Sequence, residues 1–346
     1  MAERVAKQLK AKGGKARRER VRSLNITIEE DKSTRRGNRL AALINACPLL
    51  EKLEMRSDEE LTMGKGSTMS RALTVALSRL SNLEHFTYRG RHVFCHAVDF
   101  GALISSWPKL QTLVMPDCET KSFVERRAED LVNLSSPIPL RRLELPLGGG
   151  SGENLDTITK IVNASRTTLR HLDLGSSREF NSSLSPAFTL SDLSAIASVA
   201  PQLHSFTSTS HIESQSLPPP HHYLSATLSA LRDIRVLHLG LGGYDLTTLF
   251  PLLTPLPFLQ VLSITVEHIG ASIPEHAQER YRQISATDVI KFMEKAPELV
   301  QLTLPRAVRN LWEDCEVSGE VRMAAEDCGV RLRFAEKWSP SIFERF

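Results

Sequence analysis

Two charged pairs occupy the same places in consecutive sequence motifs, Arg142/Glu144 and His171/Asp173. Carboxylates beside a guanidinium or an imidazole occur in acid–base sites, in binding patches and in ladders of solvated ion pairs. If the two segments form neighbouring parallel strands, ~4.8 Å apart, Glu144 and Asp173 repel each other unless Arg142 or His171 neutralises them. We therefore expect one polar patch, either a solvated ladder or a partner-binding surface, because no substrate pocket supports a catalytic carboxylate pair.

Other groups of residues resemble nucleotide-binding, metal-binding or catalytic motifs, but their spacing does not match those motifs. The segment 63–68 (MGKGST) resembles a phosphate-binding loop, but Glu59 stands where the first glycine is required. His92, Cys95 and His96, with His85 and Cys118 on neighbouring motifs, suggest zinc, yet no paired CxxC accompanies them. No GxSxG elbow occurs, and the glycine-rich segment 147–152 has no following lysine. The sequence predicts no catalytic activity, no metal and no cofactor.

A repeated motif positions these residues. An apolar residue, two variable residues, an apolar residue, one variable residue and an apolar residue recur eleven times, at intervals of 25 to 40 residues with a mean near 31. The copies start at Val21, Leu50, Leu83, Leu110, Leu140, Leu169, Leu203, Ile234, Leu259, Leu299 and, in a weaker form, Val330. Such a period is the signature of a repeat architecture.

The residues before each copy favour a helix. Leu40, Leu43 and Ile44 fall on one helical face, and the segments 155–162 and 289–296 show the same period. Proline then ends several of these helices, since it lacks the N–H that an interior helical position needs. The prolines are Pro48, Pro108, Pro201, Pro257 and Pro297.

The pattern predicts a single right-handed α/β solenoid, a horseshoe with parallel strands on its concave face and helices on its convex face. A single strand–helix unit cannot bury its apolar face, whereas stacked units share one core. The 48 leucines among 346 residues fit one repeated core slot, and the aromatic fraction of 6% suggests that the slot is too narrow for aromatic rings. We expect a basic N-terminal arm at 1–20, the solenoid at 21–335 and a C-terminal cap at 336–346. Together with Trp312, the cap shields the last repeat from solvent.

The motif resembles the leucine-rich repeat, LxxLxL, and LQTLVM from Leu110 followed by Cys118 matches the fuller LxxLxLxxC form. The long units, with helix ends such as ACPLLEKLEM and VAPQLHSF, look like the ribonuclease-inhibitor-like repeats of fungal F-box proteins. That resemblance implies the substrate-binding repeats of a ubiquitin-ligase receptor. The first 20 residues contain no recognisable F-box, so we expect binding to the ligase adaptor only if an F-box is restored upstream. The alternative is a repeat scaffold or regulator unrelated to ubiquitin, of the GTPase-activating or inhibitor type, and an enzyme is the remote alternative.

In such a horseshoe the variable positions on either side of the second core leucine face the concave surface. The sequence predicts a protein partner on this face, contacted by Lys52, Glu54, His85, Arg142, Glu144, His171, Asp173 and His238. The loops at 175–189, 209–223 and 265–287 form an alternative binding edge, because long loops on a rigid scaffold often bind.

Charge and composition exclude other classes of partner. Residues 1–20 hold eight basic and two acidic residues, a net +6, whereas the remaining 326 residues carry −3. The arm is thus a solvated tail or a nuclear-import or nucleic-acid-contacting segment, and the body has no basic field for nucleic acid. No run of about 18 apolar residues or secretory leader is evident, so we expect no membrane contact. Five scattered cysteines favour reduced thiols and a cytoplasmic or nuclear location.

Overall fold

The computed structural model describes residues 20–28, 34–57, 71–89, 97–115, 137–145, 152–174, 198–208, 228, 230–240, 246–265, 285–305, 308, 312 and 317–335. These residues divide into two compact units, the first ending at Leu169 and the second beginning at Arg170. The predicted arm, except for Arg20, and the predicted cap at 336–346 lie outside the described residues, as do almost all of the three predicted loops.

A β-strand begins within each of the eleven motif copies. In the first unit these are β1 (Ser23–Ile28), β2 (Lys52–Ser57), β3 (His85–Arg89), β4 (Thr112–Val114) and β5 (Arg142–Glu144). In the second unit they are β6 (His171–Leu174), β7 (Ser205–Ser208), β8 (Val236–Gly240), β9 (Val261–Thr265), β10 (Gln301–Pro305) and β11 (Arg331–Ala335). Within each unit the strands are parallel and their order in the sheet follows their order in the chain.

Helices alternate with these strands. The described helices are α1 (Thr34–Asn45), α2 (Arg71–Ser78), α3 (Ala97–Ser105), α4 (Gly152–Ala164), α5 (Leu246–Leu253), α6 (Ala286–Lys295) and α7 (Val317–Asp327). Consecutive helices pack side by side, as α1 does with α2 and α6 with α7. In the part of the chain that the structure describes, no helix is both long and apolar enough to cross a membrane. The predicted α/β class with parallel strands is confirmed, whereas the horseshoe shape stays a prediction.

The core is built from the three apolar positions of each motif. In the second copy Leu50, Leu53 and Met55 are fully buried, and the corresponding residues of the other internal copies are buried in the same way wherever they are apolar. Phe86 and Phe206 are also fully buried at the middle position. The expectation that aromatic rings do not fit the slot is therefore wrong at these two copies. The ring centroid of Phe86 lies 5.1 Å from that of Trp107, so the turn that precedes the next strand supplies the surface on which Phe86 packs.

A tight turn leads into most strands. The first apolar residue of a motif donates its backbone N–H to the carbonyl three residues earlier, as in Leu50 to Cys47 (3.3 Å), Leu110 to Trp107 (3.0 Å) and Leu299 to Ala296 (3.0 Å). The prolines expected to stop the helices lie second in this turn, where their fixed φ suits the chain. Proline thus ends the helix and also sets the direction of the following strand.

A shared carbonyl oxygen fixes the register between neighbouring strands. Two successive backbone N–H groups at the start of one strand donate to the same carbonyl of the preceding motif copy. Glu51 and Lys52 both donate to Arg22 at 2.8 and 2.9 Å, and Glu84 and His85 both donate to Glu51 at 2.8 and 2.9 Å. The same arrangement recurs in both units, at the carbonyls of Glu84, Gln111, Arg170, His204, Arg235 and Gln260. Equivalent residues of successive motifs are therefore held side by side.

Candidate partner-binding face

The variable motif positions of the first unit form rows across its sheet. Because side chains alternate between the two faces of a strand, the first and third residues of each strand lie opposite the leucine core. The register aligns one row of Ser23, Lys52, His85, Thr112 and Arg142, and a second row of Asn25, Glu54, Thr87, Val114 and Glu144. We call this surface, together with the fifth-position residues Thr27, Arg56 and Arg89, the first-unit face.

Glu54 is the most connected residue of the first-unit face. Its Oε1 accepts a hydrogen bond of 2.7 Å from Nε of Arg56 and lies 2.6 Å from Nη2 of the same residue. Its Oε2 accepts from Nδ2 of Asn25 at 3.3 Å across the strand boundary. The Glu54 side chain is 17% exposed and that of Arg56 is 51% exposed, so the guanidinium remains open to solvent. The carboxylate therefore positions an exposed cation.

Arg142 and Glu144 repeat this arrangement on β5. Nη2 of Arg142 donates to Oε2 of Glu144 at 3.2 Å, and the Arg142 side chain is 49% exposed against 11% for Glu144. The expected neutralisation of Glu144 by Arg142 is thus present within one strand. His171 is exposed and Asp173 half-buried on β6 in the second unit. The two predicted pairs belong to different units, and whether they form one patch stays a prediction.

His85 is held by its neighbour on the next strand. Its Nδ1 lies 3.0 Å from Oγ1 of Thr112, and both side chains are half-buried. Lys52 stands beside His85 in the register and is exposed. The imidazole is therefore fixed in orientation by this contact, whereas the neighbouring Lys52 side chain is exposed to solvent.

The first-unit face carries an excess of positive charge. Arg56 and Arg89 occupy the same register position on β2 and β3, and both are exposed. Lys52, Arg56, Arg89 and Arg142 are set against only Glu54 and Glu144. Like charges on adjacent strands repel each other unless an anion is near, and Glu54 and Glu144 supply that anion for Arg56 and Arg142.

The sequence motif does not predict Arg56 and Arg89 as surface residues of the sheet, because each motif copy ends at its third apolar residue. In the second copy that residue is Met55, directly before Arg56. Strands β1, β2 and β3 continue past the last apolar position. The signal that was available is the alternation itself, since Glu54 and Arg56, like Thr87 and Arg89, are two residues apart. Asn25, which pairs with Glu54 in the register, is also absent from the predicted contact residues.

On four strands of the second unit, β7 to β10, the third residue is buried, whereas His171 of β6 and Arg331 and Arg333 of β11 are exposed. His238 is fully buried, as are Thr207, Ser263 and Thr303 at the same strand position and Gln301 at the first position of β10. Burial lowers the pKa of His238 to about 3, so this imidazole is neutral at pH 7. Of the predicted contact residues, His238 is the one that has no exposed surface in this structure.

Metal chemistry finds no support among the described residues. No group of three or more His, Cys, Asp or Glu side chains in these segments is arranged to hold a metal ion. His92, Cys95, His96 and Cys118, together with the segment 63–68, lie outside the described residues.

The chain was also compared with known proteins. No protein family model matches it. No curated protein matches it either.

Proposed function

We propose that the chain is a protein-recognition module that binds its partner through the first-unit face. The observation that carries this proposal is the arrangement of exposed Lys52, Arg56 and Arg89 on adjacent parallel strands, with Glu54 holding one guanidinium in place. Parallel strands joined by shared carbonyls form a rigid surface, so side chains on it are preorganised for binding. The partner's contact surface is acidic, because electrostatic complementarity favours a negative patch opposite these cations.

The resemblance to leucine-rich repeats of F-box proteins narrows the biological role. By that resemblance the partner is a protein selected for ubiquitination, and the chain supplies the substrate-binding part of a receptor. A role outside ubiquitination, as a regulator of a small GTPase or as an inhibitor, uses the same face. The proposal includes no catalytic step, since Glu54 and Glu144 are each engaged by an arginine of their own strand.

Affinity purification followed by mass spectrometry tests the proposal when it is done with charge-reversed variants. The face variant carries Lys52→Glu and Arg89→Glu. The matched control carries Arg71→Glu and Arg166→Glu, which change the same number of charges at exposed positions on α2 and after α4. We expect the control to retain the partners of the unaltered protein and the face variant to lose them. Identical partner sets for the unaltered protein and the face variant would refute recognition by the first-unit face.

The same purification separates the two biological roles. Recovery of a ubiquitin-ligase adaptor and a cullin supports the receptor role. Recovery of a small GTPase without them supports the scaffold role. Direct binding of the recovered protein is then measured with purified components at two salt concentrations, because exposed charge pairs weaken as salt rises.

A further inference from the structure

The last strand of the second unit has an open edge. Among the strands that the structure describes, β11 has a neighbour on one side only, β10. The backbone N–H of Arg331 donates to the carbonyl of Val300 at 2.8 Å, so Arg331 directs its backbone groups toward β10. Successive residues of a strand point these groups in opposite directions. Leu332 and Phe334 therefore present their N–H and C=O groups to the open edge.

A groove runs along this edge. Its volume is about 480 Å³, and α7 and β11 line it. From α7 come Arg322, Ala325 and Glu326, and from β11 and the residue before it come Val330, Arg331, Leu332, Arg333 and Phe334. The two apolar side chains Leu332 and Phe334 are only half-buried, unlike the fully buried residues at the same positions of β10. The groove thus combines a partly open apolar slot with polar walls.

Three arginines and one glutamate are among the residues that line the groove, so these residues carry a net positive charge. Arg331 and Arg333 are two residues apart, lie on the same face of the sheet and are exposed. Arg322 is exposed on α7, and Glu326 is the acidic residue of the lining. A peptide strand that pairs with β11 therefore has an arginine, Arg331 or Arg333, beside every second residue on one of its faces.

We propose that this groove binds an extended acidic peptide segment, which adds to β11 as a further strand. Strand addition uses the open backbone groups of Leu332 and Phe334 for affinity, and side-chain pockets for specificity. Because side chains alternate along a strand, acidic residues at every second position face Arg331 and Arg333. The residue between them enters the slot beside Leu332 and Phe334. The predicted recognition sequence thus alternates acidic and apolar residues.

Charge argues against a second copy of this chain as the occupant. Two β11 strands placed edge to edge bring Arg331 and Arg333 of one copy against the arginines of the other. Like charges that face each other across a strand pair destabilise it, and charged side chains on an edge oppose pairing between copies. An acidic segment removes that repulsion.

Fluorescence anisotropy with the full chain and a labelled peptide of about seven residues, alternating glutamate and valine, tests the proposal. We expect saturable binding, and about tenfold weaker binding of a peptide with the same composition in two blocks. Two further peptides carry N-methyl groups on every second residue, one on the glutamates and the other on the valines. One of these patterns removes the donors that face β11 and abolishes binding, whereas the other spares it, and the pattern that abolishes binding gives the direction of the added strand.

Protein variants locate the site. Reversal of Arg331 and Arg333 to glutamate is expected to weaken binding about tenfold or more. The matched control reverses the exposed residues Arg232 and Lys291 of the same unit and leaves binding unchanged. Equal binding of the block peptide, or of both methylated peptides, would overturn strand addition. So would tighter binding of a single-stranded RNA with the same arginine dependence, or self-association in sedimentation that the arginine reversal abolishes.

Discussion

The indole Nε1 of Trp107 donates a hydrogen bond of 2.9 Å to the carbonyl oxygen of Leu77, thirty residues earlier in the chain. Leu77 lies near the end of α2, and Trp107 follows α3. The same indole packs against Phe86 of β3, with ring centroids 5.1 Å apart. The Trp107 side chain therefore joins the turn that follows α3 to helix α2 and strand β3, which lie earlier in the chain.

Replacing Trp107 with phenylalanine is expected to destabilise the first unit by about 1–3 kcal/mol. The change removes the hydrogen bond to Leu77 and leaves a small cavity where the larger ring stood. Trp107→Ala is expected to cost about 3–5 kcal/mol, because the whole ring is lost. Urea denaturation followed by circular dichroism measures both changes. The half-exposed Phe258, in a turn of the second unit, is the control, and Phe258→Ala is expected to stay within about 0.5 kcal/mol of the unaltered protein. A smaller loss of stability for Trp107→Ala than for Phe258→Ala would contradict the stabilising role given to Trp107.

The recurring turn predicts a stabilising substitution. Arg232 occupies the position that proline holds in five equivalent turns, and the turn is closed by the N–H of Ile234 donating to Leu231 at 3.3 Å. Arg232→Pro is expected to raise stability by about 0.4–1 kcal/mol, because it restricts the unfolded chain without straining the turn. Ser81 holds the same position in another turn, but its N–H donates to Arg79 at 3.0 Å. Ser81→Pro removes that bond and is expected to destabilise, so thermal midpoints of the two variants must move in opposite directions.

The spacing of apolar residues was enough to locate every strand that the structure describes. Each described strand begins within a motif copy, because a repeated apolar slot leaves few alternatives for the backbone. The burial of Leu50 or Leu113 follows from the same spacing. The arginines of the first-unit face were missed, since their positions depend on where β2 and β3 end. The burial of His238 was also not predictable, because the motif places it at the same position as the exposed Asn25.

Gly329 adopts a backbone conformation that residues with a side chain rarely adopt. It has a φ of 68° and ends α7, with its N–H donating to Glu326 at 3.0 Å and the next N–H, of Val330, donating to Ala325 at 2.7 Å. This is the left-handed helix end that glycine favours. No atom lies within 4 Å of a Cβ added at Gly329, so Gly329→Ala carries only the conformational cost of about 1–2 kcal/mol.

A second glycine of the same helix provides the matched comparison. Gly319 also has open space around an added Cβ, and its φ is not positive. Gly319→Ala is therefore expected to stabilise α7 by up to about 1 kcal/mol, because alanine favours helix over glycine. Chemical denaturation of the two variants checks the sign. Two alanine substitutions of equal effect would show that the left-handed conformation at Gly329 does not matter.

His238 predicts a specific sensitivity to acid. Burial lowers the pKa of His238 from 6.5 to about 3 in the folded protein, whereas the unfolded chain takes up a proton near the ordinary value of 6.5. Between these two pH values the unfolded state binds more protons, so stability is complete above about pH 6.5 and falls as the pH is lowered toward 3. The slope from this one residue approaches about 1.4 kcal/mol per pH unit.

The free energy of unfolding, measured between pH 7 and pH 4 for the unaltered protein and for His238→Gln, isolates this contribution. We expect the variant to lose less stability on acidification, even if it is less stable at pH 7, because glutamine does not titrate. His204→Gln is the comparison. Burial, with Arg235 and Arg170, lowers the pKa of His204, but Asp233 opposes the shift and the side chain is only half-buried. Its effect on the slope must therefore be smaller. Parallel profiles for the unaltered protein and His238→Gln would mean that His238 has the same pKa in the folded and unfolded protein, and that water reaches it on β8.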